Sequence, residues 1–161
     1  MSRAVFRVPV VAGLFAGLVS AALLASPVSA QPVVLSTTLV GANEVPGPGD
    51  PNATGSASVV VDPSTGELCF SLSVSGLSSA PIAAHIHHAE AGHAGGIVIQ
   101  LTTPTNGSSS GCHEGVDAGL LNGIATYPFA YYVNVHTGDF PDGAARGQLQ
   151  APSADSGAAT Q

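Results

Sequence analysis

The chain has no tryptophan, no lysine and a single methionine, and only 8% of its residues are charged. Three arginines carry all the permanent positive charge, and two of them, Arg3 and Arg7, fall at the extreme N-terminus. Beyond them Arg146 stands alone against ten carboxylates. Such a surface repels phosphate backbones and anionic headgroups, so nucleic acid and charged membrane surfaces are disfavoured as partners and cations are favoured. After the first thirty residues there is no apolar run long enough to cross a bilayer. Also missing are a Gly-x-Ser-x-Gly elbow, a phosphate-binding glycine loop and a His-Glu-x-x-His pair. The acids sit singly in turns, without the spaced pairing that glycoside cleavage needs.

The N-terminal segment carries Arg3 and Arg7, then a small and apolar run from Val8 to Leu24, then Val28-Ser29-Ala30 with small residues at the −3 and −1 positions. This is the pattern of a secretory signal peptide over residues 1–30, with the mature chain starting at Gln31. The same run is long enough to serve as an uncleaved anchor. The break at Ser26-Pro27 and the small-residue end favour cleavage, and no cysteine follows to take a lipid. The expectation is a secreted, extracellular chain with no membrane insertion after cleavage. The remaining chain, about 130 residues, suits one domain around one core.

Two cysteines, Cys69 and Cys112, are an even count in a chain expected to leave the cytoplasm, which favours a disulfide. The alternative is a thiolate metal ligand. Cys69 falls in a strand pattern and Cys112 in a polar Gly/Ser-rich stretch, so neither belongs to a compact ligand cluster.

Strand signals dominate the mature chain. Val33 to Gly41 and Thr54 to Val61 read as strands, and Asp62-Pro63-Ser64-Thr65-Gly66 as a hairpin turn. Leu68, Phe70, Leu72 and Val74 alternate with Cys69, Ser71, Ser73 and Ser75, one face for the core and one for water. Pro81 to His87, Ile97 to Leu101, Ala130 to Thr137 and Ala145 to Gln150 complete the set. Thr102 to Gly111 reads as a polar loop, Val116 to Ile124 as a short helix weakened by glycine, and residues 151–161 as a disordered tail. About seven short strands with frequent turns predict an all-β, antiparallel, Greek-key-like β-sandwich, with a small barrel as the alternative.

The distinctive chemistry is histidine inside strands. Residues i and i+2 of a strand share a face, so His85 and His87 point one way and Ile82, Ala84 and Ile86 the other. Asn134 and His136 likewise share a face of the later strand. If these strands are neighbours, His85, His87 and His136 form an imidazole set suited to copper or zinc, with His93 as the best fourth ligand. The competing reading is that the imidazoles hydrogen-bond neighbouring strands, Asn134 being one partner. His88 is expected to face away from the pair, and His93 and His113 lie in glycine-rich segments. Arg146, with five donors in a fixed fork, suits a structural clamp on a carboxylate and loop carbonyls. Glu44 is the carboxylate singled out for it, and Asp139 and Asp142 are alternatives.

The segments Leu39-Val40-Gly41-Ala42-Asn43-Glu44-Val45-Pro46, Ala83-Ala84-His85-Ile86-His87, Gly95-Gly96-Ile97-Val98-Ile99, Tyr131 to Thr137 and Pro141 to Leu149 resemble, in order, the CHRD module. This is the domain repeated in chordin and also found alone in secreted microbial proteins. The resemblance spans residues 33–150 and implies a β-sandwich of residues 31–150, without implying a settled activity. The chain departs from the pattern at His88-Ala89-Glu90-Ala91-Gly92-His93, where the family often has glycine soon after the paired histidines. A shorter likeness is to copper/zinc superoxide dismutases, in His85-Ile86-His87, Val135-His136-Thr137-Gly138-Asp139 and Gly143-Ala144-Ala145-Arg146. It implies copper on His85, His87 and His136, with Arg146 steering an anion. The bridging histidine and the zinc-loop ligands of that family have no match here. The leading expectation is therefore a binding module for a metal ion (copper before zinc) or for an extracellular protein or matrix partner. A copper redox enzyme and a purely structural extracellular domain are the alternatives.

Overall fold

The computed structural model describes residues 31–152, so the expected leader over 1–30 and the tail from residue 153 lie outside the described residues. Eight strands form: β1 Val33–Val40, β2 Thr54–Asp62, β3 Glu67–Ser75, β4 Pro81–His88, β5 Gly96–Leu101, β6 Ser108–His113, β7 Tyr131–Thr137 and β8 Ala145–Gln148. One helix, α1, spans Ala118–Thr126, and 3-10 turns cover Gly41–Asn43 and Pro128–Ala130. Asp117 caps α1 by accepting a hydrogen bond from the Leu120 amide at 2.9 Å, which satisfies a donor at the helix start that otherwise lacks a partner. No helix among the described residues is long and apolar enough to cross a membrane.

All strand pairs are antiparallel, in the order β5-β4-β7-β8-β1-β2-β3-β6. Alternation decides what each face carries. Leu35, Leu39, Val59, Val61, Leu68, Phe70, Leu72 and Val74 from one half of the sheet and Ala84, Ile86, Val133 and Val135 from the other belong to a single core cluster. The sheet therefore curls until its two halves face each other, giving a sandwich-like near-barrel of the expected all-β class. Each fully buried Leu, Ile or Val contributes about 1.5–3 kcal/mol. Leu121 and Ile124 of α1 join the same cluster.

One element departs from the sequence pattern. Ser108–His113 is an edge strand on β3, where a polar loop was expected through Gly111, and this raises the strand count to eight. Serine and glycine give it no apolar alternation to read. Backbone pairing holds it instead, with Gly111 leaving room for the Phe70 ring and with Cys112 directly opposite Cys69. The two cysteines form a disulfide, S–S 2.08 Å, and no cysteine is free, which removes the thiolate-ligand alternative.

The face of β4, β7 and β8 turned away from the core is the unusual one. Two rows of polar and aromatic side chains cross it in register, His85–Asn134–Arg146 and His87–Tyr132–Gln148. A face pointing away from a core normally meets water. Here His85 and His87 are 7% exposed, Asn134 2% and Arg146 1%, because the β4–β5 loop and the Asn43–Glu44 segment fold over them.

Candidate metal centre

His136 sits opposite Ala83 across the β4–β7 ladder, and that small neighbour leaves the imidazole free to lean toward His85 on the diagonal. His85 Nδ1 and His136 Nε2 are 3.0 Å apart. Ring nitrogens of His85, His87 and His136 all lie within 4.8 Å of one another. Nitrogens bound at about 2.0 Å to one ion are separated by no more than about 4 Å. The His85–His136 pair already meets that limit, and His87 completes the set within 4.8 Å.

Backbone carbonyls set which nitrogen is available. His87 Nδ1–H donates to the Gly95 carbonyl at 2.8 Å, and His136 Nδ1–H donates to the Pro141 carbonyl at 2.9 Å. A carbonyl only accepts, so each contact fixes the proton on Nδ1 and leaves Nε2 with its lone pair, which in His136 faces His85 Nδ1. This is the orientation that outer hydrogen bonds give metal-binding imidazoles. His87 Nε2 is buried and has no hydrogen-bond partner. Burial, then the nearby His136 and His87 rings, push the acid range of His85 down to about 4, against a raising contact from Gln100. Burial chiefly lowers His87 as well, opposed by its bond to Gly95. Both are therefore neutral at physiological pH, the form in which imidazole binds a metal.

Arg146 does act on loop carbonyls. Nη1 donates to the His93 carbonyl at 2.8 Å, and Nη2 to the Glu90 carbonyl at 3.0 Å and to Gln148 Oε1 at 3.2 Å. Gln148 Nε2 donates to the Ala89 carbonyl at 2.6 Å and the Phe129 carbonyl at 2.7 Å. The Gly95 amide donates to Tyr132 Oη at 3.2 Å. The β4–β5 loop is thus fastened at Ala89, Glu90, His93 and Gly95. A side chain at Gly95 would collide with the His88 carbonyl.

The carboxylate expected to meet Arg146 does not form an ion pair with it. Glu44 is buried, 4% exposed, in a space kept open by Gly143, whose φ of +146° and lack of a Cβ leave room for the carboxyl. Burial raises its acid range to about 7, against lowering by the Arg146 charge, the Val45 amide and the Asn134 side chain. Arg146 neutralises it only at a distance because the guanidinium is committed to carbonyls.

The structure therefore brings together His85, His87, His136, Asn134, Glu44 and Arg146. It leaves His93 exposed in the loop, contributing its carbonyl, and outside the cluster of imidazole nitrogens. His88 is exposed and stacks on Tyr131, and His113 packs beside Phe70. Sequence reasoning missed Tyr132 and Gln148, although period-two alternation from Asn134 and Arg146 puts both on the same face. The roles of the Gly95 and Pro141 carbonyls have no signal in residue type.

Comparison with curated proteins and with solved structures returns no significant match. The family model for the CHRD domain matches residues 35–149. The segments on which the resemblance rests, around Asn43-Glu44, His85-Ile86-His87, Asn134-Val135-His136 and Arg146-Gly147-Gln148, all converge on the polar face just described. On the extent of that match, the chain belongs to the CHRD domain family.

Proposed function

We propose that this chain is an exported binding module that holds a divalent transition-metal ion, copper before zinc, on His85, His87 and His136. The observation that carries the reading is the convergence of three imidazoles, two of them with Nδ1 tied to a carbonyl and Nε2 turned inward. Three nitrogen donors suit both ions, and the general affinity order places copper(II) above zinc(II). Export is supported by the leader-like N-terminus and by the disulfide, a bond that persists in oxidising compartments. When bound, the ion would supply Lewis acidity or, for copper, redox capacity. The protein's own part is to orient the three rings and to hold the loop over them.

A superoxide-dismutase-like role for Arg146 draws less support. Its guanidinium is 1% exposed, lies on Tyr132 and is occupied by carbonyls, so little of its charge is presented to an arriving anion.

The test is metal content and affinity of the exported protein with copper(II) and zinc(II), against a His87→Ala variant and a His85→Ala/His136→Ala variant. One ion per wild-type chain, lost in both variants, is the expected result. Equal metal in all three proteins would end the reading.

A further inference from the structure

Three buried polar atoms without partners lie around one side chain: Glu44 Oε1, Asn134 Oδ1 and His87 Nε2. The Asn134 side chain acts on both the Glu44 carboxyl and the His87 ring, yet none of the three atoms completes a hydrogen bond. His87 has already given its Nδ1 proton to Gly95, so its Nε2 is a bare lone pair. Asn134 Oδ1 is also an acceptor, and buried acceptors left without a donor cost free energy.

Two arrangements remove the conflict. In one, the amide presents its nitrogen to His87. Nδ2–H then donates to His87 Nε2, Oδ1 faces Glu44, and a protonated Glu44 carboxyl donates to it, so all three atoms are satisfied. In the other, an ion occupies His87 Nε2, and the amide N–H donates to an ionised Glu44 instead.

Resting on the metal reading above, we propose that Asn134 is a two-position positioning residue that couples Glu44 to the metal centre. Without an ion, its amide occupies His87 Nε2 and is held by protonated Glu44. With an ion on Nε2, the amide turns to Glu44 and the carboxyl proton leaves. One divalent ion enters, one proton departs, and no electrons move. The proton has a way out, because Glu44 lines a cavity of 280 Å³ together with Asn43, Arg146 and Gln148. The groups facing Glu44 are few. Arg146 is the one charge acting on it, and the Gly143 and Gly49 turns bring no titratable side chain. An acid range raised to about 7 is consistent with a carboxyl that is protonated before the ion arrives.

Glu44→Gln separates the cases, since glutamine can donate to Asn134 Oδ1 as the acid does but has no proton to release. Zinc(II) titration calorimetry at about pH 6, in buffers of different ionisation heat, counts the protons. Wild type is expected to release about one proton per ion more than Glu44→Gln, and the variant to bind zinc about tenfold more weakly. Equal proton counts with zinc bound in both proteins would overturn the coupling while leaving the metal reading intact. A second measurement needs no metal. The His87 Nε2 nitrogen resonance of metal-free protein should show an accepted hydrogen bond that disappears in Asn134→Ala. An unchanged resonance overturns the proposal, and a wild type that takes up no zinc defeats the metal reading separately.

Discussion

The Arg146 guanidinium carbon lies 3.4 Å from the centroid of the Tyr132 ring, and Tyr132 in turn stacks on His87 with centroids 4.8 Å apart and planes 7° from parallel. The one permanent cation among the described residues is thereby joined through an aromatic ring to an imidazole of the candidate centre. The stack keeps His87 from swinging away from His85 and His136, while the other end of Arg146 pins the loop whose Gly95 carbonyl holds His87 Nδ1. A single buried side chain thus braces the ring from two directions.

Replacing that side chain with lysine keeps the charge and removes the planar fork. Two carbonyl contacts to a charged donor and the stacking cannot all survive on one ammonium group. Arg146→Lys is expected to lower stability by about 3 kcal/mol in denaturant titration. Amide exchange should accelerate first over residues 89–95. A variant as stable as wild type, with that loop equally protected, would show the clamp to be idle.

Ion binding should be visible as stability. At a hundredfold excess over its dissociation constant, an ion that binds only the folded chain adds about 2.7 kcal/mol. Copper or zinc should therefore raise the melting temperature by several degrees in wild type and by nothing in His136→Ala. Substitution of exposed His93 should leave the increment in place, because its imidazole is outside the cluster.

The strands that build this centre were legible because their alternation is strict. Leu68 to Val74 and Ala84 to His87 each separate an apolar face from a polar one, so the side on which His85 and His87 lie followed from period two alone. The neighbour relation between β4 and β7 did not follow, since antiparallel pairing across many intervening residues leaves no mark on either strand. β6 was missed for a different reason: Ser108-Ser109-Ser110-Gly111 has no apolar positions, and its strand character comes from pairing with β3. Glu44 draws notice in the sequence as an acid before a turn, and in the fold it is buried within reach of the Arg146 charge without an ion pair. Residue type shows that Arg146 needs acceptors, and only the folded loop shows that backbone carbonyls provide them.

The disulfide and the histidine face lie toward opposite ends of the strand order, with β6 at one edge and β4 next to the other. Losing a bridge that closes a 43-residue separation should cost about 3–4 kcal/mol through unfolded-chain entropy. Cys69→Ser/Cys112→Ser is therefore expected to unfold at lower denaturant and to exchange β6 amides faster, while the folded fraction keeps its metal affinity. A parallel loss of affinity would mean that the two ends are coupled through the sheet.

Acid stability offers a test with two opposed signs. His85 titrates at about 4 in the fold against an ordinary 6.5. Its contribution is present above about 6.5 and is lost as pH falls through 4, and His87 acts in the same direction. Glu44 titrates at about 7 against an ordinary 4.5. Its contribution is present below 4.5 and is lost as pH rises through 7. Between 4.5 and 6.5 the unfolded chain binds more protons at His85 and the folded chain binds more at Glu44, so the two slopes, each at most about 1.4 kcal/mol per pH unit, offset one another. Wild type, with His87 adding to His85, should still climb with pH across that window, less steeply than the imidazoles alone would make it. Glu44→Gln removes the opposing group, so its stability should climb with pH there. His85→Gln removes one of the two rising contributions, so its stability should climb less with pH than that of wild type. Denaturant midpoints measured across the window would decide the matter, and parallel curves for the three proteins would mean that neither group is held as far from its ordinary range as its burial requires.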